Sequence, residues 1–150
     1  MGDTMDERVK RIDTVKKCEN YAANALERGH PELAAQARQR ALEIRAEAYG
    51  ASNDAEREAL QAIYAYEEVL SHKNGKRTPA SRTWQMIKRH GIIEGVERAV
   101  NRPVETQGYK ALVEMGLEKY AFEYVILRHP ALFSDEAIAL SKSRTAEWEQ

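Results

Sequence analysis

The sequence is poor in the residues that cross-link or interrupt a chain. It has one cysteine, Cys18, in 150 residues, which excludes an internal disulfide framework and a cysteine-rich zinc site. Four prolines and eight glycines leave room for long helices. No apolar run approaches the roughly 20 residues that a membrane-spanning helix needs. The start, Met1-Gly2-Asp3-Thr4-Met5-Asp6-Glu7, is acidic and lacks a basic segment leading into an apolar one, so it does not read as a signal peptide. These absences point to a cytoplasmic protein of bacterial type that has no contact with a membrane. What is present suffices for a core: 43% of residues are hydrophobic and 31% charged, too apolar for a disordered chain and the size of one domain or two small ones.

Charge is scarce in sum and uneven in place. The net charge of −1 hides three zones: residues 1–70 balance at −4, residues 71–93 at +6 and residues 94–150 at −3. The middle zone has no acid at all. It holds Lys73, Lys76, Arg77, Arg82, Lys88 and Arg89, with His72 and His90. A basic island on a mildly acidic chain attracts phosphates locally without making the whole protein a polycation. A solvated surface stretch is the plainer explanation of any charge run.

Apolar spacing predicts an all-α fold of about seven helices. The first is expected from about Met5 to Arg28, capped by Asp3 or Thr4, with Met5, Val9, Ile12, Val15, Ala22 and Ala25/Leu26 in one stripe and Gly29 ending it. Pro31 suits the first turn of a second helix reaching Tyr49, whose alanines let a neighbouring backbone come close. Spacings at Gly29, Ala34, Ala41 and Leu42 fit one helix pair of a tetratricopeptide array but do not recur, so they mark an ordinary hairpin. Asn53, followed three residues later by Glu56, caps a third helix with Ala59, Ile63, Tyr66 and Leu70 inward and Ala62 and Val69 beside them. Residues 72–78 read as an exposed basic loop. Thr78 and Pro79 then cap and open a helix ending at Gly91.

A short helix from Ile92 to Asn101 stops at Pro103, and another runs from Thr106 to Met115. Residues 117–128 read as one buried helix despite the strand-like Phe122–Leu127, because no second strand candidate exists to pair with it. Ser134 caps the last helix, Phe133 stapling onto Ile138. The expected architecture is an N-terminal antiparallel three-helix unit in 1–71, the basic loop 72–78, and a C-terminal cluster of short helices in 79–150. One continuous domain over 1–150 is the alternative.

The helix after Pro79 carries the functional argument. Ala80, Trp84, Ile87 and Gly91 share one face; Arg82, Gln85 and Arg89 share another, flanked by Ser81 and Lys88. Arg and Gln suit guanine and adenine edges as well as phosphate. Ser81 and Thr83, with the free amides of a first helical turn, suit a backbone phosphate. The turn at Gly91 gives a helix-turn-helix outline, although its basic residues lie on the earlier helix, whereas the usual reader is the later one.

The expectation is therefore a non-catalytic protein that binds nucleic acid, duplex DNA first, through Lys73, Lys76, Arg77, Ser81, Arg82, Gln85, Lys88 and Arg89. A helical interaction module whose basic segment docks on an acidic partner, or on its own acidic half, is the alternative. The charged flanks of a long helix over 5–28 suggest a homodimer.

Other constellations are weaker. Gly75-Lys76-Arg77-Thr78 resembles the tail of a phosphate-binding loop but lacks the upstream glycine and strand. His72, Asn74 and His90 match a His-Asn-His nuclease by letters only. His90 and Glu94 are four apart across a helix-breaking glycine; His30 and His129 sit at helix ends beside prolines. Cys18 reads as a core residue, and Glu114, Glu118 and Glu123 as solvated acids. Aromatics late in the chain read as core. No metal, cofactor or catalytic residue is expected.

Overall fold

The computed structural model describes residues 5–101 and 106–150, with residues 106–108 described by their backbone alone. Among the described residues the chain is helical throughout, with no strand. The described residues form nine α-helices: α1 Glu7–Lys10, α2 Val15–Glu27, α3 Pro31–Tyr49, α4 Asp54–Asn74, α5 Ser81–His90, α6 Ile92–Val100, α7 Thr106–Glu114, α8 Phe122–Arg128 and α9 Asp135–Trp148. Two 3₁₀ turns, Glu118–Tyr120 and Pro130–Leu132, complete the set.

The expected first helix is two. Asp6 caps α1, its carboxylate accepting from Arg8 N–H at 2.8 Å. The chain then breaks, and Thr14 caps α2 by accepting from Lys17 N–H at 3.1 Å. A Thr that satisfies a free amide starts a helix more favourably than it continues one, so the apolar stripe persists while the helix does not. The expected caps Asp3 and Thr4, and the stop at Pro103, lie outside the described residues. Gly29 ends α2 with φ 79°, and α3 begins at Pro31. The hairpin closes over Ala22, Ala25, Ala34 and Ala37, all buried, with Tyr21 and Leu33 packed beside them.

Asn53 accepts from Glu56 N–H at 2.9 Å, while Glu56 reaches back to Ser52 N–H at 2.9 Å, a capping box displaced by one residue. α4 is the central element. Leu60, Ile63 and Ala62 face Val96, Val100, Val125, Ile126 and Phe133; Ala65 and Val69 face Leu42, Leu112 and Leu117. Tyr66, expected inward, is exposed: Ala62 and Val69, which flank its position on the wheel, take the core instead.

Residues 117–128 divide at Ala121, whose extended backbone separates the 3₁₀ turn from α8. Phe122–Leu127 is helical as its lack of a partner strand requires. Ser134 caps α9, accepting from Ala137 N–H at 3.1 Å, and Phe133 and Ile138 lie in the same apolar cluster. No helix among the described residues is long and apolar enough to cross a membrane.

Candidate nucleic-acid interface

The basic island is set on the end of α4, a short loop and α5. α4 runs further than the sequence suggests: His72, Lys73 and Asn74 form its last turn, and Gly75, at φ 70°, closes it. The loop is therefore 75–80, not 72–78. Thr78 does not cap α5. Its N–H donates to Ser71 Oγ at 2.8 Å and its hydroxyl accepts from Asn74 Nδ2 at 3.1 Å, tying the loop back onto α4. Pro79 lies two residues before the helix, which begins at Ser81 with Ala80 as its uncapped start.

A buried carboxylate fixes this junction. Glu67, 9% exposed on the inner face of α4, accepts with one oxygen from Ala80 N–H at 2.8 Å and from Trp84 Nε1–H at 2.6 Å. Trp84 is also held between Tyr49, stacked at 5.7 Å between ring centroids, and Tyr64 at 5.2 Å. Arg45 covers Tyr64 at 5.8 Å and pairs with Glu68 at 3.1 Å. Burial, then the charge of Glu67, pushes the Tyr64 phenol up from its ordinary value. Glu67 and Glu68, the acids nearest the island along α4, thus hold Trp84 and Arg45 rather than the island's arginines.

With its inner face fixed, α5 turns the rest outward. Thr83 and Ile87 are buried, whereas Ser81, Arg82, Gln85, Lys88 and Arg89 are exposed. Thr83, at 1% exposed, is closed to a phosphate. Lys73, Lys76 and Arg77 are exposed too. Among the described residues no carboxylate forms an ion pair with Lys76, Arg77, Arg82, Lys88 or Arg89.

The island borders two depressions, with His72 on the rim of both. Arg82, Ser81 and Lys73 lie together on the wall of a large cavity. Lys76 lines a shallower depression with Arg38, Glu68 and Met115. Gln85, Lys88 and Arg89 line neither.

The expected helix-turn-helix also differs in detail. α5 and α6 are joined by Gly91 alone, at φ 92° and ψ 169°, where the usual turn has three or four residues. The two helices touch closely: a Cβ at Gly95 would lie 2.5 Å from Ile87 Cγ1, so only glycine fits. His90 and Glu94 meet across this turn at 3.4 Å.

Family models, curated proteins and solved structures were each compared with the chain, and none matches.

The remaining candidates take structural places. No group of three or more metal-ligating side chains occurs among the described residues. The Glu58 carboxylate accepts from His129 Nε2–H at 2.9 Å and from Arg128 Nε–H at 2.5 Å. Cys18 is buried, and burial pushes its thiol up, away from the reactive thiolate. Glu123 is not solvated as expected: it is 6% exposed and pairs with Arg144 at 3.0 Å. The role of Glu67 as the buried acceptor that holds α5 was not read from the sequence. Its signal was the residue's position four after Ile63 and seven after Leu60, a carboxylate in an apolar stripe that must find donors inside.

Proposed function

We propose that this chain binds nucleic acid non-catalytically, with duplex DNA as its first target, through the outer face of α5 and the loop before it. The observation that carries the reading is the solvent-facing set Arg82, Gln85, Lys88 and Arg89 on a helix whose inner face is locked by Glu67 and Trp84. Cations held on a rigid element and not neutralised by nearby acids attract phosphate at low cost in ordering. Lys73, Lys76 and Arg77 extend the positive surface at one end of the helix, and Ser81 adds a hydroxyl donor there. Arg82 and Gln85 are the side chains suited to base edges. α5 acts as the second helix of a pair with α4, the six-residue loop 75–80 replacing the tight turn of the usual motif.

The test is a set of paired variants against labelled duplex DNA and single-stranded RNA. Lys76→Ala with Arg77→Ala should weaken every sequence alike. Arg82→Ala or Gln85→Ala should cost about 1–3 kcal/mol on a preferred site only. Binding to an acidic peptide but to neither nucleic acid would instead make the segment a protein-docking face.

A further inference from the structure

Tyr49, in the last turn of α3, is the most exposed aromatic side chain among the described residues, at 48%; Tyr66 follows at 37%. The Tyr49 ring lies on Trp84 of α5, 5.7 Å between centroids and 24° from parallel. Trp84 also meets Tyr64 at 5.2 Å, and Arg45, one turn before Tyr49, covers Tyr64 at 5.8 Å. The aromatic series thus runs from the half-buried Tyr64 through Trp84 to solvent at Tyr49. Trp84 has other supports, Tyr64 and the bond to Glu67 at 2.6 Å, so holding it in place does not account for a ring left this exposed.

The ring stands at the border of the outer face of α5. Three and four residues from Trp84 lie Ala80 and Ile87, which are buried, and Ser81 and Lys88, which are exposed. Trp84 therefore divides the inner face from the outer one, and an exposed ring stacked on it lies beside the edge that carries Ser81 and Lys88. Lys88 forms no ion pair among the described residues, so its charge is available at that edge.

We infer that Tyr49 is a stacking surface for an unpaired base, and that the preferred nucleic acid is a duplex flanked by an unpaired nucleotide whose phosphate meets Lys88. The inference rests on the reading of α5 as the nucleic-acid face and adds the end of α3 to it. A paired base inside a duplex has both faces stacked on its neighbours and gains nothing from another ring. An unpaired base has a free face, can be turned out of the helix, and stacks on an aromatic side chain whatever its identity. A cation beside the ring holds the backbone of the same nucleotide.

Fluorescence anisotropy of the full chain tests this with three labelled probes: a blunt DNA duplex, the same duplex with a short adenine overhang, and that overhang with abasic sugars in place of the adenine nucleotides. The adenine overhang should bind about tenfold tighter than the other two at equal salt, the scale of one stacked base. Tyr49→Phe should keep this gain. Tyr49→Leu, which still covers Trp84 but offers no flat π-face, should lose it and leave blunt-duplex affinity unchanged in a chain folded by circular dichroism. Equal binding of the adenine and abasic overhangs, a gain that survives Tyr49→Leu, or an equal loss on the blunt duplex would overturn the inference alone, since blunt-duplex binding upholds the reading of α5. No binding of any probe would overturn both.

Discussion

Removing the Glu67 carboxylate tests whether one buried acid positions α5. In Glu67→Ala the Ala80 N–H and the Trp84 indole N–H both lose their acceptor. A buried donor left without a partner costs about 1–3 kcal/mol. Trp84 is half-buried, so its indole regains some water, and the expected loss is about 2–3 kcal/mol for the pair. In a chain of this length that corresponds to a fall in Tm of roughly 5–10 °C. Glu67→Gln keeps an oxygen in place and loses only the charge-assisted part, about 1 kcal/mol. A cycle with Trp84→Phe should show coupling of about 1 kcal/mol, since the two side chains touch. Urea unfolding followed by circular dichroism measures all of these. If Glu67→Ala unfolds within about 0.5 kcal/mol of the parent, or Glu67→Gln costs as much as Glu67→Ala, the carboxylate does not hold the helix and the argument for a rigid α5 fails.

Three further outcomes are expected. Burial raises the Glu58 carboxyl, but hydrogen bonds from Arg128 and His129 outweigh it and hold the group below its ordinary value of 4.5. A depressed carboxylate contributes stability above the unfolded value, lost as pH falls through the folded one, so Glu58→Gln should reduce the pH dependence of stability below about 4.5 and leave it unchanged near neutrality; identical acid unfolding would contradict this. Although the segment 5–28 divides into α1 and α2, charged side chains such as Lys17 and Asp13 stay exposed, so pairing through this segment should give twice the mass of one chain by light scattering at tens of micromolar; the mass of one chain would remove it. Elemental analysis of the purified chain should find no stoichiometric zinc or iron, and a bound metal would show that the histidines were misread.

Much of the fold was legible because it follows from local rules. Pro31, Asn53 and Ser134 begin helices where first-turn chemistry requires, and Gly29 ends α2 with positive φ. The burial of Phe122–Leu127 in a helix followed from the lack of a second strand. What failed were competitions between local options. Thr14 can continue a helix or cap one, and spacing alone does not decide; Thr78 beside Pro79 matches a helix start, yet its bonds to Ser71 and Asn74 prevail. Within the site, the outward set on α5 was readable from the three-and-four spacing. The partners of the acids were not, because Glu67, Glu68 and Glu123 meet Trp84, Arg45 and Arg144 only through tertiary packing. The cavity likewise comes from elements far apart in sequence, and no local pattern announces it.

The most direct measurement of the central claim is the affinity of the folded chain for a duplex DNA across a salt series. If α5 and its loop meet about four or five phosphates, the logarithm of affinity should fall against log salt with a slope of roughly −4, and each removed contact, Lys88→Ala or Arg89→Ala, should flatten it by about one unit. A folded chain with no measurable duplex binding at low salt, or a slope that those substitutions leave unchanged, would contradict the account.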